Sequence, residues 1–176
     1  MWNPYLYADE HCIFVEERDL PDPLLGLYVA TPTIPPTIIL CSSLRSDPRL
    51  RRCVMAHELG HHETSFGFDF RKHQTTYQDM LKRARVEYKA DRWAVRKLIS
   101  DDDLWRLVMR RGDITHDDVC AYFDVTPQYA CLRMQILLED YYCEKLRIRG
   151  DKNRIIFSLP KPRKGRRRNV KIKTAG

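Results

Sequence analysis

The pentapeptide His-Glu-Leu-Gly-His occupies residues 57–61, directly after the apolar stretch Cys-Val-Met-Ala at residues 53–56. Two histidines four residues apart lie one above the other on a helix, so both imidazoles can bind one zinc ion (Zn²⁺). Glu58, about 100° further round the helix, can then act as general base on a water molecule. The pattern predicts a catalytic zinc helix, with His57 and His61 as metal ligands and Glu58 as the catalytic residue.

Signals for the helix ends lie on both sides of this motif. Asp47 is a suitable N-cap and Pro48 suits the first helical position, so the zinc helix is expected to run from there to about Thr64. A second cap at Thr76 predicts a helix that runs to about Ile99. Gly60 weakens the zinc helix by about 1 kcal/mol relative to Ala, and this cost predicts that another segment or a substrate backbone comes close there.

The third zinc ligand is expected on the second helix. The extended pattern of the metzincins is excluded, because it would need Gly at position 64 and His at 67, where this chain has Thr64 and Gly67. One face of the second helix instead places two carboxylates within an apolar stripe. That face consists of Met80, Ala84, Glu87, Asp91, Ala94 and Leu98.

A carboxylate in apolar surroundings costs several kcal/mol unless a cation compensates it. Zinc would supply that cation, with Glu87 as the third ligand and a fourth position left open for catalysis. Asp91, one turn further along, is placed to accept the free ring N–H of a zinc-bound histidine, expected to be His57. The alternative is a structural salt bridge from this face to Arg51 or Arg52.

Four further residues are candidates for a role in the zinc site. His62 points about 100° away from the two ligand histidines, so it is expected at the surface or behind the ligands. Cys53 could be a fourth ligand, but buried helix packing is the preferred interpretation. His73 and Tyr77 both lie near the connection between the helices, and the sequence does not choose which of them would stabilise an oxyanion.

The remaining patterns predict an α+β fold. Three strand-like runs at residues 12–16, 27–30 and 37–41 predict a small antiparallel sheet packed with the two zinc helices, and an exposed edge at residues 37–41 could bind a peptide. The predicted organisation is a metallopeptidase core at 1–100, a helical subdomain at 101–145, a hairpin at 146–159 and a disordered basic tail at 160–176.

The net charge of +7 does not extend over the whole chain. Eight of the 31 basic residues lie in the tail at 160–176, which leaves 23 bases against 24 acids in the rest. Nucleic acid is therefore a possible but weak partner, through the tail alone. No apolar run approaches the about 18 residues of a membrane helix, and the start lacks a signal peptide, so no membrane partner and a cytoplasmic location are expected.

The zinc-helix residues 53–62, followed by Glu-Tyr-Lys-Ala-Asp-Arg-Trp-Ala at 87–94, resemble the ImmA/IrrE family of metallo-endopeptidases. The resemblance covers about residues 5–145 and implies a gluzincin-type site, with Glu58 catalytic and His57, His61 and Glu87 on zinc. It departs from the family at residues 96–100, Arg-Lys-Leu-Ile-Ser, where a proline often ends the second helix.

The resemblance also implies a biological role. Family members act as anti-repressors in prophages, other mobile elements or stress-response loci, where they cleave a helix-turn-helix repressor encoded nearby. Residues 119–132 themselves look like a helix-turn-helix, with Asp124 where Gly is usual. Two alternatives stay open, namely a non-enzymatic DNA- or protein-binding regulator with a structural zinc, and a peptidase of broad specificity.

Overall fold

The computed structural model describes residues 1–65 and 76–143, which form one small sheet and a set of helices. The predicted hairpin and basic tail lie outside the described residues. The strands are β1 (Phe14–Arg18), β2 (Gly26–Thr31) and β3 (Ile34–Cys41), and the helices are α1 (Pro4–Glu10), α2 (Pro48–Thr64), α3 (Tyr77–Leu98), α4 (Asp101–Arg111), α5 (His116–Phe123) and α6 (Pro127–Cys143). The α+β prediction is confirmed.

The sheet is mixed, and this differs from the purely antiparallel arrangement expected from the sequence. Its order is β1-β3-β2, with β2 antiparallel and β1 parallel to β3. The most apolar strand takes the centre, where Ile38 and Leu40 are fully buried, and the charged strand β1 takes an edge, where solvent covers its side chains. Residues 37–41 therefore have neighbouring strands on both sides and offer no free edge to a peptide.

The two long helices begin and end close to the predicted positions. The Asp47 side chain accepts a hydrogen bond from the backbone N–H of Leu50 at the start of α2, and Thr76 caps α3 through the N–H of Asp79. Local signals were sufficient here, because a capping side chain and the N–H it satisfies lie only three residues apart.

Gly60 marks the closest approach of α2 and α3. A Cβ atom built on Gly60 would lie 2.4 Å from the carbonyl oxygen of Ala90 and 2.9 Å from that residue's Cα. The sequence predicted that another segment comes close to Gly60, and that segment is α3. The contact brings the two histidines of α2 beside the carboxylates of α3, because Ala90 lies between Glu87 and Asp91.

The helices α4 to α6 share one hydrophobic core with α2 and α3. Arg52 of α2 donates to the carbonyl oxygens of Phe123 and Asp124 (2.6 and 3.1 Å) and to that of Trp2 (2.7 Å). Asp124 has a left-handed backbone, with φ of 52°, in the turn between α5 and α6. Arg52 thus ties the helix-turn-helix-like turn to the helix that carries the candidate site.

No helix among residues 1–65 and 76–143 has the combination of length and apolar character that crossing a membrane requires.

Candidate metal centre

Three potential ligand atoms converge where α2 and α3 meet. The Nε2 atoms of His57 and His61 lie 3.0 Å apart, and each lies 3.3 Å from Oε2 of Glu87. Among the described residues, these three form the one group of histidine, cysteine and acidic side chains that could share a metal ion. The structure therefore brings together the three residues that the sequence nominated as ligands.

The size of this triangle fits a tetrahedral zinc ion. Ligand atoms bound at about 2.0–2.1 Å with tetrahedral angles lie roughly 3.3–3.4 Å from one another. The two edges to Glu87 match this spacing and the edge of 3.0 Å between the histidines is slightly shorter. Two imidazole nitrogens with one carboxylate oxygen are a donor set that zinc accepts. The triangle leaves the fourth tetrahedral position without a ligand from these residues.

Asp91 fixes how His57 presents its ring. Oδ1 of Asp91 lies 2.7 Å from Nδ1 of His57. A carboxylate can only accept, so Nδ1 carries a proton, and whenever the ring is neutral Nε2 points its lone pair towards Glu87. Two acceptors that face each other at 3.3 Å require a positive charge between them, either a proton or a metal ion.

The pKa values of the site reflect the same demand for positive charge. Burial alone would lower the pKa of His57, but its hydrogen bonds with Asp91 and Glu87 outweigh that effect and raise the pKa to about 10. Hydrogen bonds from His57 and His61 hold the pKa of Glu87 far below its usual range. The cluster thus favours a positive charge at its centre, and three converging donor atoms could share a metal ion.

Glu58 is buried behind the triangle, with a relative exposure of 6%. Burial is the main cause of its raised pKa, while the imidazoles of His57 and His61 act in the opposite direction. A hydrogen bond from the backbone of Tyr28 in β2 also favours the charged form. A carboxyl group with a raised pKa is well suited to both accept and return a proton near neutral pH.

The carboxylates of α3 are less buried than the sequence suggested. The side chains of Glu87 and Asp91 remain about one-third exposed, and Met80, on the same face, is 62% exposed. The stripe is buried only in its second half, where Ala94 and Leu98 pack against the core. The alternative of a salt bridge to Arg51 or Arg52 is wrong, because Arg51 pairs with Glu17 and Arg52 binds backbone carbonyls.

The other candidates fall outside the triangle. Nδ1 of His62 lies 2.8 Å from the hydroxyl of Tyr28, so this ring is turned to the sheet. Cys53 is fully buried and its sulfur accepts from the N–H of Thr126, as expected for a packing residue. Tyr77 is 74% exposed at the start of α3, and His73 lies outside the described residues.

Replacing Asp91 with Asn should weaken zinc binding about 10- to 100-fold, because His57 would lose the carboxylate that fixes its tautomer and raises its basicity. Competition with a fluorescent chelator measures this affinity. Asp79→Asn, at a capping position remote from the triangle, is the matched control and should leave zinc affinity unchanged. Equal zinc affinities of wild type and Asp91→Asn would contradict the assigned hydrogen bond.

A comparison with protein families matches residues 8–135 to Peptidase_M78, described as the IrrE N-terminal-like domain. The matched residues include both long helices, all three strands and most of α6. No curated protein and no solved structure matches the chain. The match extends over well more than half of the chain and includes every residue of the candidate site.

Proposed function

This chain belongs to the Peptidase_M78 family of IrrE N-terminal-like domains, and from that premise we propose that it is a zinc-dependent endopeptidase. The observation that carries the proposal is the triangle of His57, His61 and Glu87, whose edges of 3.0–3.3 Å are close to the ligand spacing of a tetrahedral zinc site. A structural zinc site would be closed by a fourth protein ligand, whereas a catalytic one keeps a position open.

His57, His61 and Glu87 would hold the zinc, and Asp91 would orient His57. When bound, zinc supplies a Lewis acid that polarises the scissile carbonyl and lowers the pKa of a water molecule. Glu58 accepts a proton as the water oxygen bonds to the carbonyl carbon, and it later gives that proton to the leaving amine as the C–N bond breaks. Glu58 is almost fully buried, which keeps bulk water away from its carboxylate.

Strand β2 offers the free edge that β3 lacks. Cys41 donates its N–H to the carbonyl of Leu25 (2.8 Å), so the alternation of an antiparallel pair directs the backbone groups of Leu27 and Val29 to β3 as well. Gly26 and Tyr28 direct theirs to the opposite edge, next to Glu58. The Tyr28 N–H is held by Glu58, so an extended substrate segment would pair with the remaining backbone groups of this edge and so bring its backbone to the catalytic carboxylate.

The proposed substrate is a helix-turn-helix transcriptional repressor, cut at one site in the cytoplasm. The family resemblance supports this anti-repressor role, and the one candidate metal site among the described residues suits one defined partner. A cut in the linker between the DNA-binding and dimerisation parts would lower operator affinity, because each half-site would lose its linked second contact.

Purified protein with one equivalent of zinc should cut the repressor encoded beside its own gene once, and a chelator should stop the cleavage until zinc is restored. Fragment masses give the cleavage site. Reduced, unfolded lactalbumin is the control for specificity, and we expect it to be cut at least about tenfold more slowly. Comparable rates on both proteins would instead favour the peptidase of broad specificity.

The non-enzymatic regulator is the rival function, and the structure offers it little support. In a DNA-binding helix-turn-helix the second helix presents polar and basic side chains to the groove. Arg133 is the one basic residue of α6, and it is buried, with its guanidinium bound to the carbonyl of Ile99 and to Asp101. Salt-dependent binding of DNA by a protein that cleaves nothing would favour the rival.

A further inference from the structure

Glu58 is held from the side of the sheet as well as from its own helix. A Cβ atom built on Gly26, the first residue of β2, would lie 2.5 Å from Oε1 and 2.9 Å from Cγ of Glu58. The backbone of Tyr28, two residues further along the same strand, gives Glu58 a hydrogen bond. The carboxylate therefore occupies the space that any side chain at position 26 would fill.

Alternation along β2 explains why these two residues act together. Residues two apart in a strand direct their backbone groups to the same edge, and for Gly26 and Tyr28 this is the edge that does not pair with β3. Glu58 lies against this edge with almost no solvent exposure. The strand thus provides one bare Cα and one hydrogen-bond donor to the same side chain.

We propose that Gly26 is a positioning residue for Glu58, because its missing side chain admits the carboxylate to the β2 edge, where the Tyr28 N–H orients it. The proposal rests on the role of Glu58 as general base in the proposed function. The three atoms nearest to a Cβ at position 26 belong to Glu58 and Val54, not to the histidines proposed as zinc ligands. The effect of Gly26 on catalysis passes through Glu58, since Val54 has no reacting group.

Gly60 is the natural comparison, because it lies on the same helix as Glu58. A Cβ added at Gly60 would clash with backbone atoms, whereas one added at Gly26 would clash with side-chain atoms. A Cβ at Gly60 would meet the Ala90 backbone at 2.4 Å, and a helix backbone cannot move aside as a side-chain end can. Gly60→Ala should therefore separate α2 from α3 and weaken zinc binding through Glu87. Gly26→Ala should displace side-chain atoms of Glu58 and Val54 rather than a helix backbone, and it should leave zinc binding intact.

The test compares Gly26→Ala with Gly60→Ala by three measurements: the backbone amide proton shift of Tyr28, the zinc affinity and the peptide kinetics. In Gly26→Ala we expect the Tyr28 amide shift to move towards its value in Glu58→Ala, because the carboxylate no longer accepts from it. We expect kcat to fall about 10²-fold, the cost of a misplacement of about 1 Å, with KM and zinc affinity within about twofold of wild type. Gly60→Ala should instead lose zinc affinity.

A second variant protects the test against a failure to fold. The same Cβ would also lie 2.7 Å from Cγ1 of Val54, so Gly26→Ala/Val54→Ala removes that clash and retains the one with Glu58. It should keep the low kcat and the shifted Tyr28 amide. An unchanged amide shift in both variants, an unchanged kcat, or misfolding of both would overturn the proposal.

The two inferences fail in different ways. If the proposed function is wrong, wild type will cleave no faster than Glu58→Gln, whatever the Tyr28 amide does. If the positioning role is wrong, wild type will cleave and the Tyr28 amide shift will be the same with Gly or Ala at position 26.

Discussion

Replacing Glu58 with Gln should lower the cleavage rate about 10²- to 10⁴-fold, the usual contribution of a general acid or base. Gln has the same shape as Glu but does not accept a proton at neutral pH. Glu58 is not one of the three residues of the triangle, so the variant should still bind one zinc ion per protein molecule. Rates on a peptide that contains the repressor's cleavage site, measured together with metal content, check both expectations.

The same variant should not lose stability. Burial raises the pKa of Glu58, which means that the charged carboxylate is disfavoured in this position, and a neutral amide avoids that penalty. Thermal unfolding of the zinc-loaded variant should therefore occur at or above the wild-type temperature. Undiminished cleavage by a folded, zinc-loaded Glu58→Gln protein would rule out the mechanism.

Replacing His61 with Ala should abolish both zinc binding and cleavage, while the same change at the adjacent His62 should preserve both. His61 is 5% exposed, and its Nε2 forms two edges of the triangle. We expect its loss to cost more zinc affinity than the about 10–100-fold caused by removing a ligand's hydrogen-bond partner. The pair is closely matched, since the two changes delete the same ring from consecutive positions of one helix.

His62→Ala removes a hydrogen bond to the Tyr28 hydroxyl and should cost about 1 kcal/mol of stability. Isothermal titration with zinc and peptide kinetics distinguish the two variants. Equal zinc affinities of His61→Ala and wild type would contradict the ligand assignment. If a folded His62→Ala protein loses zinc, His62 is itself a zinc ligand and the set of three ligands is incomplete.

The helices and their capping residues could be predicted because their signals are local. Asp47 and Thr76 satisfy backbone groups within one turn, and the four-residue spacing of His57 and His61 determines a shared helix face. The pairing of Glu87 with these histidines could be predicted for a different reason. A carboxylate on a helix face that continues into the core needs a cation. The two histidines of α2, spaced as metal ligands, indicated that this cation is a zinc ion.

The strand order could not be predicted, because it depends on contacts between distant residues. Three short strands in succession suggest neighbours in chain order, yet β3 inserts between β1 and β2. Burial settles the order, since the run Ile38-Ile39-Leu40 is the most apolar of the three strands and gains most from the central position. The expected peptide-binding edge at residues 37–41 was wrong for the same reason, and we propose the edge of β2 instead.

The role of Gly26 also has no signal in the sequence. A glycine before an apolar run is common at the start of a strand, and nothing local shows which side chain will lie against it. Gly60 was easier to interpret, because a glycine inside a helix carries a cost that a close contact has to offset. Only the packing of β2 on α2 shows that Glu58 needs the space at position 26.

The central claim is that His57, His61 and Glu87 hold the metal ion of a peptidase. Anomalous diffraction at the zinc absorption edge, from crystals of the zinc-loaded protein, tests it most directly. The account predicts one strong peak at about 2.0–2.2 Å from Nε2 of His57, Nε2 of His61 and Oε2 of Glu87. A peak at a cysteine instead, or none between these three atoms, would contradict it.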